Sequence, residues 1–227
     1  MRFLSYILIL LLLSGCGGFR GGIESIPYVG EAVPQAESSR PSWARAIAFP
    51  EFTLSLSLNN AVRTYQYEVM LYIIPTYFNF ADEFRNRESD SLELTLQLAA
   101  RDLPVTFDPR QLLLTVDGRE VRPSGVWVNN LEKERRTFDA YVKARHQAPT
   151  DQPPLLPRAT AWREAVSDSV TVRTGEKSPR LIVTFPLPLV SPEKQLILDI
   201  GPAIVGSIAG SLPLIHFQSM RWSEGYS

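Results

Sequence analysis

Hydrophobic and polar residues alternate along several stretches of the chain after residue 51. In residues 52–58, 65–73 and 92–98, every second side chain is apolar and most of the others are polar. Alternation with a period of two residues gives a strand one apolar face and one polar face. This pattern is typical of strands that bury one side against a core. Apolar runs of similar length predict further strands at residues 112–116, 137–142, 180–185, 195–200 and 214–222. The pattern therefore predicts eight or nine strands.

Turn signals separate these predicted strands. Asp117-Gly118 connects residues 112–116 to Glu120-Val121, and Asp-Gly is the strongest short signal for a hairpin. Prolines punctuate the other strands, at Pro75, Pro104, Pro109, Pro123, Pro186, Pro188 and Pro192. A parallel sheet would need helical crossovers between its strands, and the sequence shows no such alternation. We therefore predict an all-β fold, an antiparallel β-sandwich.

The chain before residue 51 has a different composition. Between residues 17 and 50, glycines and prolines break any periodic pattern. We predict a flexible tether over residues 16–50, with a reach of roughly 25–30 Å. Within this tether, the apolar residues 23–29 could still pack against the domain. The sandwich domain is predicted at residues 51–227. A chain that begins near Ser42 is expected to fold on its own.

The first residues have the features of an export signal. Met1 and Arg2 give a positive start, and the apolar run 3–13 is too short for a permanent membrane helix, which needs about 20 residues. Leu13-Ser14-Gly15-Cys16 follows, and it resembles the lipobox of bacterial lipoproteins. The resemblance implies a signal peptide at residues 1–15 and lipidation of Cys16. The alternative is an ordinary signal peptide with a chance cysteine.

The same resemblance implies where the protein is located. Bacterial lipoproteins are held in a membrane by acyl chains on the cysteine, and several chains hold essentially permanently. An Asp after the cysteine tends to retain Gram-negative lipoproteins in the inner membrane, and here that residue is Gly17. We therefore expect the periplasmic leaflet of the outer membrane.

A weaker resemblance concerns the body of the chain. About half of the domain resembles the telokin-like, immunoglobulin-type sandwiches found in bacterial lipoproteins. The resemblance rests on the run from Leu92 through Phe107-Asp-Pro and residues 112–121 to Pro123, and on residues 181–185 and 196–200. The Cys–Trp–Cys core of antibody domains is absent. The resemblance favours an immunoglobulin-like fold and implies nothing about activity.

Length, charge and cysteine content narrow the possible partners. The chain has 227 residues, a net charge of −1 and mixed acidic and basic residues. A clustered basic face, which nucleic-acid binding favours, is not evident, so we expect no nucleic-acid partner. Cys16 is the single cysteine, so no disulfide forms within the chain.

Polar residues that could perform chemistry are few. His146 and His216 lie far apart without the spacing of a metal or nucleophile motif. The acidic residues Asp82, Glu83, Glu88 and Asp90 are interrupted by arginines and lack the turn glycine of a calcium loop. Residues 132–136 predict a polar turn or short helix. We predict no catalytic residue, no metal site and no cofactor.

Three further segments stand out. Residues 143–168 form a long proline-rich loop with a possible helical turn at 159–166, and residues 201–210 are small and apolar, which favours a loop. Residues 72–84 are unusually aromatic. Pro75 is expected to end the strand before them, which would place the aromatic rings on a surface connection. We predict a partner-binding surface there, formed by Tyr77, Phe78, Phe80 and Phe84. Packing of these rings in the core is the alternative.

Two functions are consistent with these features. The first is a lipid-anchored, non-catalytic envelope protein that binds a protein or glycan partner or supports envelope assembly. The second is a lipid-anchored hydrolase that acts on an envelope polymer with carboxylates that the sequence does not pair. Convergent carboxylates in a deep pocket would favour the hydrolase, and a clustered aromatic patch would favour the binding protein.

Overall fold

The computed structural model describes residues 17–30, 45–70, 74–84, 89–147, 159–206 and 211–226. The predicted signal peptide and Cys16 lie outside these residues. Three antiparallel sheets make up most of the described chain. Sheet A contains, in spatial order, β5 (Ile74–Phe84), β4 (Val62–Met70), β1 (Gly17–Tyr28), β16 (Ile215–Tyr226), β14 (Leu196–Asp199), β8 (Leu113–Val116) and β9 (Arg119–Val121).

The other two sheets are smaller. Sheet B contains β11 (Arg163–Ala165), β10 (Gly125–Asn129), β13 (Leu181–Pro188), β6 (Ser91–Ala100), β3 (Phe52–Leu58) and β2 (Arg45–Ala48). Sheet C contains β12 (Val170–Val172), β7 (Val105–Phe107) and β15 (Ile204–Val205). The helical elements are α1 (Leu131–Gln147) and three short 3-10 helices, Pro109–Gln111, Ala159–Trp162 and Gly201–Ala203.

The core lies between the sheets, as the alternation predicts. Four leucines of β6 point into it and are at most 1% exposed: Leu92, Leu94, Leu96 and Leu98. They share one apolar cluster with Phe52 of β3 and with Leu114 and Leu198 of sheet A. The all-β, sandwich-like fold is therefore confirmed, because alternate side chains of facing sheets fill a common core.

The predicted hairpin is also present. Val116 pairs with Arg119, so Asp117 and Gly118 are the two turn residues. Their φ angles are 48° and 83°. Positive φ at both central residues is what a type I′ hairpin turn requires.

The predicted tether is wrong for residues 17–28, which form β1 in the middle of sheet A, and for residues 45–48, which form β2 in sheet B. Strand β1 pairs with β16 from Gly18 to Tyr28 and with β4 from Gly17 to Ile23. Pro27 is tolerated because, among the described strands, only β16 pairs with β1 beyond Ile23. Residues 31–44 of the predicted tether lie outside the described residues.

The predicted strand at residues 137–142 is wrong as well, since these residues belong to α1. The side chain of Asn130 accepts a hydrogen bond from the Lys133 backbone N–H at 2.8 Å, which is the contact of a helix N-cap. The polar segment 132–136 is the first part of this helix. The helix reaches Gln147 and so occupies the start of the predicted long loop.

The remainder of the predicted loop is only partly described. Residues 148–158 lie outside the described part, and the predicted helical turn is the 3-10 helix Ala159–Trp162, followed by β11. In the segment 201–210, a 3-10 helix and β15 occupy the described residues, which end at Gly206.

Candidate partner-binding surface

The predicted partner-binding residues lie on β5, the edge strand of sheet A. Tyr77 is 63% exposed and Phe78 is 43% exposed. The side chains of Phe80 and Phe84 lie outside the described part of the structure. Two of the four predicted residues are therefore exposed large hydrophobic groups on a sheet edge.

The structure corrects the reasoning that led to these residues. Pro75 does not move the following chain out of the sheet, because it lies inside β5, opposite Val69 of β4. Among the described strands, β4 is the neighbour of β5 on one side and no strand pairs with the other. A proline near the start of an edge strand is tolerated because no ladder bond is needed on the open side.

Tyr77 belongs to an aromatic row that crosses three strands. Phe19 of β1 lies opposite Tyr67 of β4, and Tyr67 lies opposite Tyr77. Directly opposed residues share one face of a sheet. Phe19 is 57% exposed and Tyr67 is half-buried. This aromatic row is therefore an exposed apolar strip on one face of sheet A.

Tyr65 lies two residues before Tyr67 in β4 and packs beside the aromatic row. Its ring stacks beside that of Tyr77, with centroids 6.4 Å apart and planes 8° apart. Its hydroxyl donates to the Ser223 hydroxyl oxygen at 3.1 Å. The ring crosses β1 at Gly21, where a Cβ would approach it to 2.5 Å. Gly21 is therefore needed for the tyrosine to cross the strand.

The opposite face of the same strands is mixed. Arg20 of β1 lies opposite Gln66 of β4, and Gln66 lies opposite Phe78. Arg20 also forms an ion pair with Glu224 of β16. Because Tyr77 and Phe78 are successive strand residues, β5 presents one exposed aromatic side chain on each face of the sheet.

The position of β1 relates this surface to the predicted anchor. Gly17, the first residue of β1, directly follows Cys16 in the sequence. Gly17 lies opposite Val69, and Val69 lies opposite Pro75. Tyr77 is two residues farther along β5, which is roughly 7 Å in a strand. The exposed aromatic residues therefore lie close to the end of the sheet at which the chain continues to Cys16.

A second feature is a cavity of about 240 Å³ on sheet B. Glu93 of β6 lies on the face opposite the core leucines, yet it is buried, because Arg163 of β11 covers it. The guanidinium donates two hydrogen bonds to the Glu93 carboxylate, at 2.6 and 3.0 Å, and both side chains are 8% exposed. Trp127 and Thr160 also line this cavity.

Where the structure describes them, the other polar residues singled out in the sequence are not brought together into a site. His146 lies on the exposed helix α1, and His216 lies on β16 beside the ring of Tyr28, with centroids 5.6 Å apart. Asp82 and Glu83 lie in β5, Asp90 is exposed, and Glu88 is outside the described residues. In the described ranges, no group of three or more His, Cys, Asp or Glu side chains is placed to hold a metal ion.

Comparison with known proteins provides no relative for this chain. No family model matches it, and no curated protein or solved structure matches it either. Among the described helices, none is long and apolar enough to cross a membrane.

Sequence reasoning missed the cavity. Glu93 occupies a polar position in an alternating strand, where such a side chain normally faces solvent. Its burial depends on Arg163, which is 70 residues away in the sequence. No local pattern shows that contact. The sequence does contain one signal for this site. Gly125 lies two residues before Trp127, and in the structure the indole packs over the glycine backbone.

Proposed function

We propose that this chain is a lipid-anchored envelope protein that binds an extended segment of a partner protein along β5. The observation that supports this most directly is an 11-residue edge strand with exposed Tyr77 and Phe78. An exposed edge offers backbone N–H and C=O groups to another strand, and its side chains add specificity. Aromatic residues also contribute much of the binding energy at protein interfaces.

Lipidation of Cys16 is part of this proposal, and it would hold this edge at the membrane. With β1 beginning at Gly17, no spacer separates Cys16 from the sheet. An acylated Cys16 therefore holds the end of β5 that contains Pro75 and Tyr77 close to the lipid surface. In this arrangement the protein recruits its partner at the membrane rather than at the end of a long tether.

The geometry favours binding over hydrolysis. Acid–base hydrolysis of a glycosidic bond ordinarily uses two carboxylates on opposite sides of the substrate. Among the described residues that line the cavity on sheet B, Glu93 is the only carboxylate, and Arg163 holds both of its oxygens.

Photo-crosslinking tests the proposal. A photoreactive phenylalanine analogue is placed at Tyr77 of the full-length lipoprotein in its native envelope. The matched control is Leu103, which is 65% exposed and lies outside sheet A. We expect one discrete adduct from position 77, none from position 103, and a weaker adduct in a Phe78→Ala background.

Three results would contradict the proposal. They are no adduct at position 77, the same adduct at both positions, and an adduct of twice the mass of the chain. The last would show that β5 pairs with a second copy of this chain.

A further inference from the structure

We propose that the cavity on sheet B binds one acetamido sugar residue of a glycan. Trp127 is the stacking surface, and Arg163 is the hydrogen-bond donor. This site lies on a different sheet from β5 and does not depend on partner binding there.

The indole of Trp127 is held in a fixed position. It packs over Gly125, where a Cβ would lie 3.0–3.2 Å from three ring atoms. Its Nε1–H donates to the Thr184 hydroxyl at 3.1 Å. The residue is half-buried and lines the cavity, so part of the ring surface is accessible from it. A rigid, flat aromatic surface suits the C–H face of a pyranose ring, because stacking then costs little conformational entropy.

Arg163 provides the polar contact. Its Nη1 and Nη2 atoms are occupied by Glu93. Its Nε is buried and has no hydrogen-bond partner within the described residues. Buried N–H groups are nearly always paired, so this one favours a ligand with a strong acceptor. The carbonyl of an acetamido group is such an acceptor, and its methyl group suits the indole and glycine surfaces beside it.

Charge and size disfavour anionic ligands and peptides. Glu93 neutralises Arg163, so a phosphate or carboxylate ligand would compete with an ion pair already buried in the site. The cavity of about 240 Å³ is below the roughly 300–1,000 Å³ of sites for drug-sized ligands. That volume suits one sugar ring and not a folded peptide.

The test is a ligand-observed NMR titration of the full-length lipoprotein in a zwitterionic detergent. The probe is the trimer of N-acetylglucosamine, and sorbitol is the control polyol, because it has hydroxyl groups but no ring. We expect saturable binding of the trimer and none of sorbitol. Trp127→Ala should weaken binding about tenfold, the size expected for loss of one aromatic contact. Trp127→Phe should retain most of the affinity.

Two further variants keep the test decisive. Phe138→Ala removes an aromatic ring that is 54% exposed on α1, and it should bind like the unaltered protein. If Trp127→Ala fails to fold, as judged by its thermal melt, Thr160→Tyr replaces it, because Thr160 is exposed at the cavity and a tyrosine there would fill it. The proposal is overturned if the trimer does not bind, if sorbitol binds equally well, if acetate or inorganic phosphate displaces the trimer, or if binding survives both Trp127→Ala and Thr160→Tyr.

Discussion

Gly22 lies where the pairing between β1 and β4 shifts register. A Cβ at this position would lie 1.8 Å from the backbone oxygen of Val62 and 2.9 Å from the indole of Trp222. A backbone oxygen inside a sheet cannot move aside as a flexible side chain can. Only glycine therefore fits at this bulge, which explains part of the glycine content that resembles a tether in the sequence.

Gly22→Ala should destabilise the fold. We expect the free energy of unfolding to fall by about 1–3 kcal/mol, the usual cost of forcing extra atoms into a packed site. Urea denaturation measures the change. Gly225→Ala is the matched control in β16, because the nearest atom to a Cβ there belongs to the Phe19 ring at 3.4 Å. Equal losses in the two variants would show that the close approach at Gly22 is unimportant.

Asp108 lies at the start of the 3-10 helix Pro109–Gln111. The side chain of Arg110 donates to Asp108 Oδ1 from Nε at 2.8 Å and to Oδ2 from Nη2 at 3.0 Å. These bonds outweigh partial burial and lower the pKa of the Asp108 carboxyl below its usual value. The ionised form is thus favoured in the folded state over the unfolded state.

This pKa direction predicts a pH dependence of stability. A carboxyl whose pKa is lower in the folded state stabilises the fold above its unfolded pKa, and this contribution is lost as pH falls through the folded pKa. Asp108→Asn should therefore reduce the free energy of unfolding at pH 7. The difference from the unaltered protein should shrink below about pH 4, where the unfolded carboxyl takes up a proton. Urea denaturation at a series of pH values checks this, and a difference independent of pH would contradict it.

At the scale of elements, α1 differs from the rest of the chain. None of its described residues is buried, and Leu131 is 75% exposed. Such a helix depends on its cap and on pairs such as Glu132–Arg136 rather than on packing. Its local stability is therefore expected to be separate from that of the sheets.

Asn130→Ala should unwind α1 without melting the protein. Loss of an Asn cap costs a helix about 0.5–2 kcal/mol. We expect a weaker helical signal in circular dichroism and faster amide exchange within α1, at an unchanged melting temperature. Asn129→Ala, one residue earlier in β10, is the control and should change neither signal. A large drop in melting temperature for Asn130→Ala would show that α1 supports the sheets.

At the scale of the whole molecule, β1 holds two parts of sheet A together. It pairs with β4 on one side and with β16 on the other, so β4 and β5 are connected to the other strands of the sheet through it. The buried side chains of Ile26 and Met220 lie on this part of the sheet. Without β1, the facing edges of β4 and β16 would be unpaired.

Truncation tests this directly and reverses the expectation drawn from the sequence. A chain that begins at Gly17 should be monomeric and unfold cooperatively. A chain that begins at Ser42 lacks β1 and should aggregate or lose stability, because exposed strand edges pair with other chains. Size-exclusion chromatography and thermal melts compare the two. If the Ser42 chain were as stable and monomeric as the Gly17 chain, the central role of β1 would be wrong.

Part of this protein is determined by local sequence. Strands β3 and β6 follow from alternation because one face of each is buried. The hairpin turn follows from Asp117-Gly118, because these residue types adopt the positive φ angles that the turn requires. The signals for α1 were also local, since Asn130 precedes a run of good helix formers. The apolar residues at 137–142 were misleading there, because they belong to the helix and not to a strand.

The rest was decided by contacts between distant residues. Gly17–Tyr28 is a strand because β16 and β4 pair with it. Tyr65, Trp222 and the backbone of Val62 occupy the space that side chains would need at Gly21 and Gly22. Pro75 lies within a strand because β5 is at an edge. Glu93 is buried because Arg163 covers it. In each case the same residues in a different neighbourhood would form a loop, a strand end or a solvated carboxylate. Only the tertiary structure distinguishes these outcomes, because burial and pairing belong to the neighbours and not to the residue itself.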